Sequence, residues 1–77
     1  MEKVTLYTKE YCSYCTQAKL LLNDKNIEFE EIDLTDNLEL REKLSLKHSW
    51  RTMPMIFIGD QFIGGFQDLY EHLSKNN

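Results

Sequence analysis

The sequence of 77 residues is long enough for one domain, residues 1–77, and too short for two, because separate hydrophobic cores form only in much longer chains. A net charge of −4 excludes the basic surface that nucleic-acid binding requires, and the longest apolar run, residues 55–58, is far shorter than a membrane span. Two cysteines are too few for a secreted disulfide scaffold and no apolar leader precedes Glu2 and Lys3, so we expect a cytoplasmic protein.

The first predicted elements are a strand and a helix. Residues 4–7 form a short run rich in β-formers that ends at the polar residues 8–10, and we expect this strand in the interior of a sheet. Apolar residues then recur at three- and four-residue steps from Cys12 to Leu22. This spacing predicts an amphipathic helix that ends near Asn26.

The middle of the chain predicts an edge strand followed by a second helix. Residues 27–33 alternate in part between apolar and acidic side chains, which is typical of a strand with one solvated side. Asp36 and Glu39 have the spacing of a capping box, and the apolar residues that follow continue a second helix to about His48.

The last third of the chain predicts a hairpin and a C-terminal helix. Residues 55–58 form a buried-strand run, Gly59 and Asp60 form a two-residue turn, and residues 61–63 return as a strand. After Gly64-Gly65, helical spacing continues to the C-terminus. The order β-α-β-α-β-β-α predicts an α/β protein with a mixed four-stranded sheet flanked by three helices.

The only two cysteines, Cys12 and Cys15, are three positions apart where the first helix begins. A zinc site needs four ligands, and His48 and His72 are too far apart in the sequence to complete one. Two inert core thiols would suit Cys15 on the apolar face, but not Cys12 in a polar turn. The spacing therefore favours a redox-active pair.

The position of Cys12 favours its reactivity. A thiol in the first turn of a helix is close to unpaired N–H groups and to the positive end of the helix dipole, which stabilise the thiolate. Lys9 adds a cation nearby, and Glu10 partly opposes it. We expect Cys12 to form a mixed disulfide first and Cys15, one turn further into the helix, to attack it and release the product.

Three segments resemble the glutaredoxins and occur in that family's order. They are Thr-Lys-Glu-Tyr-Cys-Ser-Tyr-Cys at 8–15, Arg-Thr-Met-Pro at 51–54 and Gly-Gly-Phe-Gln-Asp at 64–68. The resemblance covers essentially the whole chain. It implies a thioredoxin fold and an enzyme that reduces protein disulfides and glutathione mixed disulfides, with glutathione as co-substrate. It also implies a role in electron transport and cell redox homeostasis, with Cys12 as nucleophile and Cys15 as the resolving thiol.

The resemblance further implies a glutathione site. The residues that match the family pattern are Lys9, Tyr14, Arg51, Thr52, Met53, Pro54, Gly65, Gln67 and Asp68. In that pattern Lys9 and Arg51 lie near the glycyl carboxylate, and Asp68 lies near the γ-glutamyl amine. A cis Pro54 would face the dithiol and leave the backbone of Met53 free to pair with an extended substrate.

Each part of this site has a plainer explanation when it is taken alone. Lys9 and Arg51 can be ordinary solvated cations, Gly64-Gly65 an ordinary turn, and Pro54 a trans proline that starts an edge strand. A histidine near a helix end and a rim tryptophan, His48 and Trp50, need no chemical role.

One departure from the family pattern opens an alternative function. Ser13 stands where the commonest dithiol glutaredoxins have proline, and serine leaves the first helical turn looser and Cys12 more accessible. Some glutaredoxins without that proline hold a [2Fe–2S] cluster between two protomers, so Cys12 is a candidate cluster ligand in a glutathione-bridged dimer. Without a cluster we expect a monomer.

A redoxin of similar fold is the other alternative. Such a protein is reduced by thioredoxin reductase, serves ribonucleotide reductase and needs no glutathione site. Lys9, Arg51 and Asp68 argue against this alternative, because they match the glutathione-binding pattern.

Overall fold

The structure is a computed structural model that describes residues 2–75. Its elements are β1 (Val4–Thr8), α1 (Ser13–Asp24), β2 (Phe29–Asp33), α2 (Leu38–His48), β3 (Met55–Ile58), β4 (Gln61–Gly64) and α3 (Phe66–Lys75). The predicted order of elements is confirmed. The part of the last helix that was predicted at residues 76–77 lies outside the described residues.

The four strands form one mixed sheet in the order β2-β1-β3-β4. Strand β1 pairs in parallel with β2 and antiparallel with β3, and β3 pairs antiparallel with β4. The expected interior position of β1 and edge position of β2 are both confirmed. The hairpin closes at Gly59, whose φ of +60° is a backbone conformation that glycine adopts without strain.

The sheet divides the hydrophobic core into two clusters, because successive side chains of a strand point to opposite faces. One cluster joins the sheet to α1 and α3 and consists of Val4, Leu6, Ala18, Leu22, Ile56, Leu69 and Leu73. The other contains the buried residues Cys15, Leu34, Met53 and Met55, with half-buried side chains of α2 packed against them. The second cluster thus reaches the end of the sheet where the two cysteines lie.

Two predicted helix boundaries differ from the structure. Helix α1 ends at Asp24 rather than near Asn26, because Lys25 is its C-cap and Asn26 takes a φ of +57°, outside the helical region. The predicted capping box of Asp36 and Glu39 is wrong. Asp36 belongs to the preceding turn, and the side chain of Asn37 caps α2 by accepting a hydrogen bond from the N–H of Leu40 at 3.2 Å.

No helix within residues 2–75 has the length and apolar composition needed to cross a lipid bilayer.

Candidate active site

The sulfur of Cys12 caps the N-terminus of α1. Cys12 has an extended backbone, with φ −123° and ψ 100°, and its Sγ accepts a hydrogen bond from the N–H of Cys15 at 3.2 Å. The Cys12 carbonyl oxygen accepts from the N–H of Thr16 at 3.2 Å. Sulfur therefore takes the place of the side-chain oxygen that usually caps a helix. In the reduced protein, the same N–H and the helix dipole favour a thiolate at this atom.

The two cysteines differ in accessibility. A disulfide joins them, with their Cα atoms 5.2 Å apart. Cys15 is only 2% exposed and packs in the core cluster with Leu34 and Met55, whereas Cys12 is half-buried. An incoming sulfur atom can therefore reach Cys12 more readily than Cys15.

The turn before β3 lies against the dithiol. The peptide bond between Met53 and Pro54 is cis, as the family resemblance implied, and both residues are buried. The carbonyl oxygen of Met53 lies 3.5 Å from the Sγ of Cys12. This contact brings the chain at 53–54 beside the sulfur of Cys12, although the two segments are far apart in the sequence.

The N-terminus of α3 lies beside the same turn. The N–H of Gly65 donates a hydrogen bond to Oδ2 of Asp68 at 2.9 Å, so this carboxylate caps the helix. Gly64 has a φ of +122°, and a Cβ there would lie 2.5 Å from Oδ2 of Asp68, so only glycine fits. A Cβ on Gly65 would lie 3.8 Å from the carbonyl oxygen of Pro54.

The remaining residues predicted for the glutathione site lie at the surface. Tyr14, Arg51, Thr52 and Gln67 are exposed, and Lys9 is half-buried. The side chain of Gln67 donates to Oε2 of Glu71 at 3.4 Å, along α3. Among residues 2–75 the ion pairs are Lys3–Glu30 and Lys19–Glu31, so the charges of Lys9 and Arg51 are not neutralised by an ion pair there.

Sequence patterns missed a second arginine beside Arg51. Arg51 lines a groove of about 540 Å³ together with Leu38, Arg41, Glu42, Ser45, Leu46 and Ser49 of the α2 region. Arg41 is thus a second cation in the groove that Arg51 enters. Helical periodicity places Arg41 on an outer face of α2, but it gives no sign that this face borders the segment before Pro54.

Hydrogen bonds hold the segment that leads into Cys12. The N–H of Glu10 donates to Oγ1 of Thr35 at 2.9 Å, and the N–H of Thr35 donates to Oδ1 of Asp33 at 2.8 Å. The Thr35 hydroxyl, followed by the Thr35 N–H, lowers the pKa of Asp33, and the charge of Lys19 adds a smaller effect. The end of β2 thereby fixes the loop before α1.

Within residues 2–75, no three His, Cys, Asp or Glu side chains come together in a group that could hold a metal ion. A half-buried cysteine whose sulfur caps a helix, a second, buried cysteine bonded to it, and the Met53-Pro54 turn beside Cys12 are the arrangement of a thiol–disulfide oxidoreductase of the thioredoxin fold.

Comparison with known proteins identifies the family. A family model for glutaredoxin matches residues 4–63. Glutaredoxin 3 of Escherichia coli strain K12 is 44% identical over 70 residues, which cover 91% of this chain and 84% of that protein. The solution structure of glutaredoxin from Brucella melitensis has a TM-score of 0.84 at 41% identity and covers 97% of this chain and 82% of that chain.

A crystal structure of a buckwheat glutaredoxin–glutathione complex has a TM-score of 0.88 at 26% identity, covering 95% of this chain and 69% of that chain. The protein belongs to the glutaredoxin family.

Proposed function

We propose that the protein uses glutathione to reduce glutathione mixed disulfides and protein disulfides. The observation that carries this proposal is the asymmetry of the cysteines: Cys12 is half-buried and receives the N–H of Cys15, while Cys15 itself is buried. Cys12 is the proposed nucleophile and Cys15 the proposed resolving thiol. Glutathione maintains a reducing environment, so the proposed setting is the cytoplasm.

The reduction of a mixed disulfide needs one protein thiolate. Cys12 attacks the glutathione sulfur, a bond forms between these two sulfurs, the substrate disulfide breaks, and the substrate leaves as a thiolate that takes a proton from water. A free glutathione thiolate then attacks the same glutathione sulfur, releasing glutathione disulfide and restoring the Cys12 thiolate. The net reaction is R–S–S–G + GSH → R–SH + GSSG.

The reduction of a protein disulfide can use both cysteines. Cys12 attacks one substrate sulfur and displaces the other as a thiolate, which leaves a mixed disulfide between Cys12 and the substrate. Cys15 loses its proton and attacks the Cys12 sulfur, so the substrate leaves as its second thiol and the Cys12–Cys15 disulfide remains. Two glutathione molecules supply the two electrons that reduce this disulfide, and glutathione disulfide is the product.

Charges and backbone groups on both sides of Cys12 support a glutathione site. Lys9 and Arg51 provide unneutralised cations for the glycyl carboxylate, and Arg41 shares the groove with Arg51. On the other side, the carboxylate of Asp68 is available to the γ-glutamyl amine. Between them, the backbone of Met53 lies next to the Cys12 sulfur and can pair with the extended tripeptide.

The choice of electron donor tests the proposed function. Reduction of a glutathionylated peptide is followed with glutathione, glutathione reductase and NADPH, and in parallel with thioredoxin reductase and NADPH. We expect turnover with the glutathione system only. Turnover with thioredoxin reductase alone would support the alternative of a redoxin that serves ribonucleotide reductase.

Binding of a [2Fe–2S] cluster is a second candidate function, favoured by the exposure of Ser13 and the partial exposure of Cys12. A [2Fe–2S] cluster held by thiolates needs four sulfur ligands. Of the two cysteines, Cys12 is partly exposed and Cys15 is buried, so two chains and two glutathione molecules would complete the set. The residues of this chain fit as half of such a site.

Anaerobic reconstitution with iron, sulfide and glutathione tests the cluster. Cluster binding predicts a coloured dimer by absorbance and gel filtration. Ser13→Pro should reduce it, because proline stiffens the first helical turn while remaining compatible with that position. A colourless monomer would exclude this second function.

A further inference from the structure

Three aromatic side chains form a continuous surface on the side of the dithiol where α1 meets α3. The rings of Tyr14 and Phe66 are stacked, with centroids 6.3 Å apart and planes at 25°. The rings of Phe66 and Tyr70 follow at 6.4 Å. Tyr14 is 60% exposed, Tyr70 is 50% exposed and Phe66 is half-buried. We name these three residues the aromatic strip.

Packing of the core does not account for the two tyrosines of this strip. The buried residues of α1 are Cys15, Ala18 and Leu22, and those of α3 are Leu69 and Leu73. Tyr14 and Tyr70 instead leave half or more of their surface in water. Grouped aromatic side chains at a surface mark binding sites, because their rings offer a large apolar area and lose little conformational freedom on binding.

The aromatic strip is continuous with the reactive site. Tyr14 lies between Cys12 and Cys15 in the first turn of α1, and Phe66 is the first residue of α3, directly after Gly65. The strip therefore starts at the dithiol and runs away from it along α3. Arg41 and Arg51 line a groove against α2 that includes none of the three rings.

We propose that the aromatic strip binds the polypeptide that carries the disulfide, through an apolar or aromatic side chain next to the substrate cysteine. This inference rests on the proposed function. In the attack on a glutathione mixed disulfide, the tripeptide lies along the backbone of Met53, and the substrate polypeptide must leave from the same sulfur bridge. Tyr14 also belongs to the proposed glutathione site, and Phe66 and Tyr70 extend the apolar surface from it along α3. These two residues therefore select protein substrates by the side chains beside the substrate cysteine.

Three substrates test the strip: a glutathionylated peptide with phenylalanine on both sides of its cysteine, the same peptide with serine at both positions, and the mixed disulfide of cysteine and glutathione. For the wild type we expect kcat/KM to be about three- to ten-fold higher for the phenylalanine peptide than for the serine peptide. This ratio corresponds to the interaction energy of one or two aromatic contacts. Tyr70→Ala and Phe66→Leu should each remove most of this preference.

Leu20→Ala is the matched control, because Leu20 is 62% exposed on α1 but is not part of the strip. It should keep the full preference for the phenylalanine peptide. Equal kcat/KM of the wild type on both peptides would overturn the proposed role of the strip. A Tyr70→Ala variant that lowers kcat/KM for all three substrates alike would overturn it as well. Inactivity of the wild type on all three substrates would overturn the proposed function and the strip with it.

Discussion

Helices α1 and α2 begin with the same hydrogen-bond geometry, but only α1 begins with a proposed catalytic residue. In each, an N-cap side chain accepts from the N–H three residues further on, at 3.2 Å: Cys12 Sγ from Cys15, and Asn37 Oδ1 from Leu40. In α1 the capping atom is the sulfur of Cys12, the proposed nucleophile, which lies beside a buried cysteine. In α2 it is an amide oxygen, and α2 has no buried residue. The same helix start can therefore serve a structural or a proposed catalytic role, depending on the capping atom and on the residues packed behind it.

The largest expected effect comes from exchanging the capping atom of α1. Cys12→Ser should abolish reduction of both kinds of disulfide, because a hydroxyl is not a comparable nucleophile at neutral pH. Stability of the reduced protein should be unchanged or slightly higher, since serine is a preferred N-cap. Activity assays and urea unfolding under reducing conditions measure the two effects. Residual activity above background would refute Cys12 as the nucleophile.

Replacing Cys15 should affect the two reductase activities differently. Cys15→Ser retains the Cys12 nucleophile, so reduction of a glutathione mixed disulfide should remain, while reduction of a protein disulfide should fall sharply. Both rates are measured with the same glutathione-linked assay. If the variant loses the mixed-disulfide activity as well, the proposed division of roles between the cysteines is wrong.

The charges near Cys12 should have a smaller effect that depends on salt. Lys9→Ala and Arg51→Ala should each raise KM for a glutathionylated peptide by about 1.5- to 5-fold, in keeping with the energy of exposed ion pairs. The increase should be larger at low ionic strength. Lys25→Ala, at the far end of α1, is the control and should leave KM unchanged. An unaltered KM in the Lys9/Arg51 double variant would show that these cations are ordinary surface residues.

The cap of α2 should affect stability and leave activity intact. Asn37→Ala removes the bond to Leu40 and should lower the free energy of unfolding by about 0.5–2 kcal/mol. Asp36→Ala should change it by less than about 0.5 kcal/mol, as exposed substitutions usually do. Urea unfolding of both variants, beside their activity, checks this order. A larger loss of unfolding free energy in Asp36→Ala than in Asn37→Ala would contradict the assignment of Asn37 as the cap.

The smallest expected effect concerns Asp33, which links the segments before both helices through Thr35. Its pKa is lowered in the folded protein, so its contribution to stability is complete above the unfolded pKa of about 3.9 and disappears as the pH falls through the lowered folded value. Asp33→Asn should be less stable than the wild type at neutral pH, and the difference should shrink in acid. A difference that stays constant with pH would contradict this role.

Local patterns in the sequence predicted most of the architecture, because each element is short and marked by its own spacing. The hairpin around Gly59 and the acidic edge strand are examples. The cap of α2 was missed because Asp36 and Asn37 are both good capping residues, and the backbone of the preceding turn decides between them.

Contacts between distant segments could not be predicted in the same way. Stacking of Phe66 on Tyr14 depends on how α3 packs beside α1, and the groove that joins Arg41 to Arg51 depends on the path of the chain after α2. The closeness of Met53 to Cys12 was expected only through the family resemblance. Periodicity assigns a residue to a face of its own element, whereas these contacts depend on which elements meet.

Trp50 gives the protein an optical reporter of its own. It is the only tryptophan in the chain, its ring lies 5.6 Å from that of Phe62, and a Cβ on Gly65 would lie 3.2 Å from its Cζ2. Its Nε1 is buried and has no hydrogen-bond partner among residues 2–75. Indole emission responds to changes in polarity and hydrogen bonding, so occupation of the proposed glutathione site beside Gly65 can be followed by intrinsic fluorescence, without an attached dye.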